Sequence, residues 1–344
     1  MIPTSPASVP RASARVPRSA VALCAAVLLA SVGGLGCGGE RSAVSGRIYV
    51  SNQLDNTVSV IDGDTPKVVA TVRVGVSPAQ LAVSPDRRSV YIANTGSNTV
   101  SVLNTNSNTV ANTIALPRGS RPVGLALSPS GRYLYTADGG NNRVSVIDAR
   151  AGRVMTSVPV GAQPLGVAVA PDGKTVYSAN SGSDDVSVIN ARAARVVRAM
   201  PAGRFPSSVA VTHDGASIFV TNELSGVTVI NADNGRVQAR LRSPSPFGVT
   251  MSPRGDRAYV TGLGPGTLTS IDTRTDRVRS TVSVGSYGTD PFTVRATPDA
   301  LYVANQGAST LSIIDPSTLR TRATVATGNS PYGVAVGRPV PTRH

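Results

Sequence analysis

Tryptophan is absent from the 344 residues, histidine and cysteine occur twice each, and glutamate stands only at Glu40 and Glu223. These shortages exclude a good deal of chemistry. Neither Cys-x-x-Cys-His nor His-Glu-x-x-His occurs, so haem attachment and a paired-histidine metal centre lack ligands. No cofactor and no metal is expected. His213 lies in Thr212-His-Asp-Gly215, where sibling segments place proline, and reads as a surface turn residue; His344 is the last residue. Aromatic residues make up 4% of the chain, so any core must be built from Val, Ala, Ile and Leu.

Long hydrophobic runs are missing too. The apolar stretch from Ala20 to Val32 has 13 residues, too few to cross a hydrocarbon layer of about 30 Å as a helix. It follows Arg11, Arg15 and Arg18, with no acidic residue before Glu40, as in a secretory signal. Gly34-Leu-Gly-Cys37-Gly-Gly resembles the end of a bacterial lipoprotein signal, with Cys37 as the lipidated first residue, although Leu35 sits one place nearer the cysteine than usual. A diacylglyceryl group and an amide-linked chain there would give the two anchors that stable membrane attachment needs. The expected division is a signal over 1–36, a short linker over 37–47, a folded domain over 48–337 and a disordered tail over 338–344. Cys24 leaves with the signal, so no internal disulfide can form.

What the chain has in abundance is repetition. Tyr49-Val-Ser-Asn52, Tyr91-Ile-Ala-Asn94, Tyr135-Thr-Ala-Asp138, Tyr177-Ser-Ala-Asn180, Phe219-Val-Thr-Asn222, Tyr259-Val-Thr-Gly262 and Tyr302-Val-Ala-Asn305 are one segment written seven times, 42, 44, 42, 42, 40 and 43 residues apart. A period near 42 filled with strand-like pieces marks propeller blades. One unit cannot bury its own faces and is stable only beside its neighbours. The unit reads in full from Pro164. Pro164-Leu-Gly-Val-Ala-Val169 is an inner strand, Ala170-Pro-Asp-Gly173 a turn, Thr175-Val-Tyr-Ser-Ala179 a second strand, and Val186-Ser-Val-Ile189 a third. Arg195-Val-Val-Arg-Ala199 is a fourth. The chain begins on a second strand at Ile48 and ends on a first strand at Tyr332-Gly-Val-Ala-Val336. The predicted fold is therefore all-β: a seven-bladed β-propeller, four antiparallel strands per blade, closed by pairing of the C-terminal strand with the three N-terminal ones.

These motifs, with Gly161-x-x-Pro164 and Val-Ile-Asn190, resemble the YVTN-repeat β-propeller family over about Ile48 to Val336. The blade near Tyr259 departs from the pattern: Gly262 replaces Asn, Ser243-Pro-Ser-Pro246 replaces the Gly-x-x-Pro turn, and Gly285-Ser-Tyr-Gly-Thr-Asp-Pro291 is two residues longer than its siblings. The resemblance implies a secreted or cell-surface binding protein. Seven-bladed lactonases resemble it in architecture, but that activity wants His, Glu and Arg at the channel mouth, and only Glu223 with Arg121 or Arg204 could contribute. Quinone-dependent dehydrogenases of similar shape resemble eight-bladed, tryptophan-rich proteins, which this chain is not.

Charge is lopsided. Without the signal, 30 Lys and Arg face 19 Asp and Glu, and half of these cations fall in third-to-fourth-strand turns or on outermost strands. This reads first as a solvated exterior and second as an electrostatic surface for anionic polymers or lipid headgroups. Asp62, Asp148, Asp272 and Asp315 close third strands, where siblings carry Asn104, Asn190 and Asn231. Interchange of carboxylate and amide points to turn hydrogen bonding instead of proton transfer. A binding site must break the repeat. The residues that do so on the face of the interblade loops are Arg121, Arg204, Phe205, Glu223, Tyr287 and Asp290. Aromatic faces with cations and a carboxylate suit a protein, peptide or glycan of the cell envelope. Phe247, Phe292 and Tyr332, each after a turn proline, are expected to pack the inner strands. A monomer is expected, with no nucleic-acid partner.

Overall fold

The computed structural model describes residues 46–337. The expected signal over 1–36, the lipidation site Cys37, most of the 37–47 linker and the 338–344 tail lie outside the described residues. Within them the chain forms seven antiparallel four-stranded sheets and no helix. Blade 1 consists of Arg47–Asn52, Thr57–Asp62 and Lys67–Arg73, completed by the C-terminal strand Pro331–Val336. Blades 2 to 7 span residues 78–115, 122–159, 164–201, 206–241, 246–283 and 291–326. Each runs in sequence order from an inner strand to an outer one. The expected closure is present: Ile48 pairs with Val336, Tyr49 with Ala335 and Val50 with Val334.

The inner strands are Pro78–Val83, Pro122–Leu127, Pro164–Val169, Pro206–Val211, Pro246–Met251, Pro291–Ala296 and Pro331–Val336. Each touches the next around the central channel. Their third residue is Gly in four of the seven (124, 166, 248 and 333), where neighbouring backbones approach closely. A Cβ on Gly124 would stand 2.4 Å from Leu165 O, so this position accepts no larger residue without moving a strand.

Seven apolar clusters form the core, one at each blade interface. Tyr177, Val186 and Val188 of blade 4 pack on Val209, Ile218 and Ile230 of blade 5, and the other six interfaces repeat the scheme. The repeat's aromatic residue serves these interfaces, with Tyr49, Tyr135, Tyr302 and Phe219 fully buried. The polar residue three places later is buried as well, and it bolts the second strand to the third. Asn180 Nδ2 donates to Asp185 Oδ1 (2.7 Å) and Ser187 Oγ (2.9 Å), and Asn94 and Asn305 make the same pair of bonds in their blades. All seven residues that close the third strands accept backbone N–H groups of the following turn, as expected for Asp62, Asn104, Asp148, Asn190, Asn231, Asp272 and Asp315.

Candidate functional site

The interblade loops and the second-to-third-strand turns share one end of the ring, the loop face. The first-to-second and third-to-fourth-strand turns form the other, the turn face. Each interblade loop ends in the proline that opens an inner strand. The residue before it, in order Ser77, Arg121, Gln163, Phe205, Ser245, Asp290 and Ser330, has φ between +40° and +57°. A following proline disfavours the right-handed helical region, and the left-handed one costs a non-glycine residue roughly 1 kcal/mol. At Ser77, Arg121, Gln163 and Phe205 an Asn or Asp side chain binds the N–H. Asn98 Oδ1 accepts from Arg121 N–H (2.9 Å), Asn142 Oδ1 from Gln163 N–H (2.8 Å) and Asp184 Oδ1 from Phe205 N–H (2.8 Å). The same residue's carbonyl accepts from the next blade, as Phe205 O does from Glu223 N–H (3.0 Å). Each of the seven makes at least one of these two bonds, so equivalent seats recur around the channel while the side chain of each differs.

Three of the residues singled out in the sequence occupy such seats: Arg121, Phe205 and Asp290. Arg204 precedes Phe205, Glu223 is bonded beside it, and Tyr287 lies in the long loop before Asp290. The six share a face without forming one cluster, since the Arg121, Phe205 and Asp290 seats are two blades apart. Phe205 and Tyr287 expose 42% and 87% of their surface. The stem of Arg121 crosses Gly140, where a Cβ would stand 2.9 Å from its Cγ. Asp290 Oδ1 is engaged by Gly264 N–H (2.9 Å). Glu223 is half-buried, and burial lifts its carboxyl above the usual range.

Below this face the channel is plugged. Phe247, Phe292 and Tyr332 are the second residues of three consecutive inner strands, and their ring centroids lie 4.1, 4.8 and 6.3 Å apart. They pack with Ala79, Val123 and Leu263, as expected for inner-strand residues. Burial raises the Tyr332 pKa, and the nearby Glu223 carboxylate adds to that rise. On the other side of the plug a cavity of about 610 Å³ reaches the turn face. His213, the expected turn residue, is exposed and lies on that cavity's lining beside Gly255. Arg295 lies on the cavity wall and was missed in the sequence. The signal was a cation inside an apolar strand, at a position where five siblings carry Ala (82, 126, 168, 210 and 335) and one carries Thr250.

The basic outermost strands are partly engaged within the ring. Arg279 and Arg322 pair with Asp272 and Asp315, Arg240 donates to Ala202 O (3.0 Å), and Arg198 donates to Asp233 O (2.7 Å). Arg279, with bonds from neighbouring turn groups, holds the Asp272 carboxyl well below the usual range; for Asp315 the bonds from Ser317 and Thr318 do most of this and Arg322 adds to them. Among the described residues, no three His, Cys, Asp or Glu side chains come together to hold a metal ion.

No curated protein matches the sequence. A family profile described as YNCE-like beta-propeller matches residues 14–158. Among solved structures, hydrazine synthase of Kuenenia stuttgartiensis superposes with a TM-score of 0.72 at 24% identity, covering 84% of this chain and 100% of that one. A functionally unknown protein from Desulfotomaculum acetoxidans DSM 771 gives 0.74 at 16% identity, covering 86% and 100%. Virginiamycin B lyase from Staphylococcus aureus gives 0.66 at 15% identity, covering 76% and 91%. Relatives this distant and this varied in role share the ring and nothing more specific. The YNCE-like match and the closed ring of seven four-stranded blades together fit a propeller family of the YVTN type.

Proposed function

We propose that this ring is a binding module of the bacterial cell envelope, tethered through Cys37 and engaging a protein, peptide or glycan through its loop face. One observation carries the reading: seven equivalent seats bear Ser, Arg, Gln, Phe, Ser, Asp and Ser, so an invariant frame displays a varied set of side chains. Phe205 is exposed in its seat and Tyr287 beside the next but one, both rigid aromatic groups of the kind that anchor interfaces. Glu223 and Arg204 flank Phe205 and supply charge of both signs for orientation.

The test is a screen of the secreted ring against arrays of envelope peptides and glycans. For the ligand found, Phe205→Ala and Tyr287→Ala should each weaken binding by about tenfold, since central aromatic anchors carry most of such energy. Equal affinity of both variants and the parent would overturn the reading. The tether is tested separately by fractionation. The full chain should sediment with membranes and Cys37→Ser should appear in the soluble fraction; if both partition alike, Cys37 is not the anchor.

A further inference from the structure

Behind the aromatic plug, the central cavity runs along the inner strands to the first turns on the turn face. Its walls are inner-strand residues, Ala, Val and Leu mixed with Gln80, Ser207, Ser208, Thr250 and Thr293, and no acidic side chain lines it. Arg295 is the one Arg or Lys among the described lining residues. Among the described residues it makes no salt bridge and no side-chain hydrogen bond. It keeps contact with the solvent inside the chamber, while the surrounding strands desolvate it enough to lower its pKa. A cation placed there without a partner is free to take an anionic ligand. The ring itself shows that none is needed for folding, because five blades carry Ala at this register.

The geometry supplies the shape of a partner. Phe292 belongs to the plug, and Arg295 follows three residues later on the same strand, roughly 10 Å nearer the mouth at the usual strand rise. Thr250 stands at the same register on the adjacent inner strand and lines the same chamber with a hydroxyl-bearing side chain. Phe247 and Tyr332 form the apolar end wall. Charge at mid-depth and an aromatic wall beyond it match a head and tail.

We propose that this chamber binds a small organic carboxylate, its head paired with Arg295 and Thr250 and its apolar tail directed toward Phe247 and Tyr332. A planar guanidinium suits a carboxylate through two parallel hydrogen bonds. The chamber of about 610 Å³ is in the range of ordinary small-molecule sites. The site is separate from the loop face, so it stands whether or not that face binds a partner.

Calorimetric titration with hexanoate, acetate and inorganic phosphate tests it. Hexanoate should bind saturably and more tightly than acetate, and Arg295→Ala should weaken it at least about thirtyfold. Thr250→Val should weaken it less, and Phe205→Ala should leave it unchanged. Without ligand, the Arg295→Ala ring should melt no lower than the parent, because a sibling residue replaces an unpaired cation. Absence of saturable hexanoate binding, or binding indifferent to Arg295, overturns the proposal. Phosphate binding tighter than hexanoate overturns the assignment to carboxylates. A lowered melting point of the ligand-free variant overturns the claim that the cation serves a ligand.

Discussion

Deletion of residues 330–344 should leave a chain that no longer melts as one cooperative unit. The lost strand closes blade 1, and its side chains reach three places at once. Val334 belongs to the interface of blades 7 and 1, Ala335 to that of blades 1 and 2, and Tyr332 to the channel plug. Its backbone also ties neighbours together, since Thr293 Oγ1 donates to Tyr332 O (2.5 Å) and Gly333 N–H to Ser51 Oγ (2.8 Å). Burying one large apolar side chain contributes about 1.5–3 kcal/mol. Several such terms, with the strand's hydrogen bonds, come to more than about 5 kcal/mol, against a total stability of about 5–15 kcal/mol for a typical domain. The opened ring would also leave the inner edge of Arg47–Asn52 unpaired, which invites association. Calorimetry and limited proteolysis check this. A truncated protein with the parent's sharp transition at the parent's midpoint would show that closure contributes nothing.

Asp138→Asn should make the protein more stable at neutral pH and leave it unchanged in acid. Asp138 stands where the other blades carry a buried Asn, or Gly in blade 6, and it is fully buried. Burial raises its pKa to about 6, against lowering by the hydrogen bonds from Ser145 and Thr136. The folded protein therefore holds the proton more tightly than the unfolded chain. The parent keeps this contribution in full below about pH 4 and loses it as pH rises through about 6. An amide has no such loss. The gain should appear above pH 4 and level off above pH 6 at a value on the order of 3 kcal/mol. Geometry permits the exchange, because Thr136 Oγ1 donates to Asp138 Oδ1 (2.8 Å) just as Ser178 Oγ donates to Asn180 Oδ1 (3.0 Å). Ser145 Oγ, which donates to the carboxylate now, lies 3.1 Å from Ser157 Oγ and can turn toward it to accept the amide. Urea titrations of both proteins at pH 4 and pH 8 decide the matter. A difference equal at the two pH values would mean that ionisation of Asp138 is not its source.

The ring was readable before any coordinates because its signals are local and repeated seven times. The Tyr–Asn segments, the Asp-Gly turns and the split blade each follow from spacing along the chain. The turn role of Asp62 and its siblings followed from a comparison among repeats, and so did the loop-face residues that break the pattern. Other features are set by direction in space. Nothing in Ser77-Pro78 or Phe205-Pro206 announces a left-handed residue, and the Asn or Asp side chain that binds its N–H lies about 21 positions earlier. Phe247, Phe292 and Tyr332 are about 40 residues apart, and only the ring brings them edge to edge. Arg295 was within reach of the repeat comparison, but its exposure was not, because only the closed ring shows that the channel gives one side of an inner strand to water.

The chain joins and leaves the ring on a single side. Gly46 O accepts from Gly63 N–H (3.0 Å) and Gly337 N–H donates to Arg47 O (2.7 Å), so both ends of the described chain sit on the turn face. That gives the disc a polarity. The variable seats and the chamber's turn-face end look in opposite directions. Solutes arriving from opposite directions would then meet different surfaces of one rigid body.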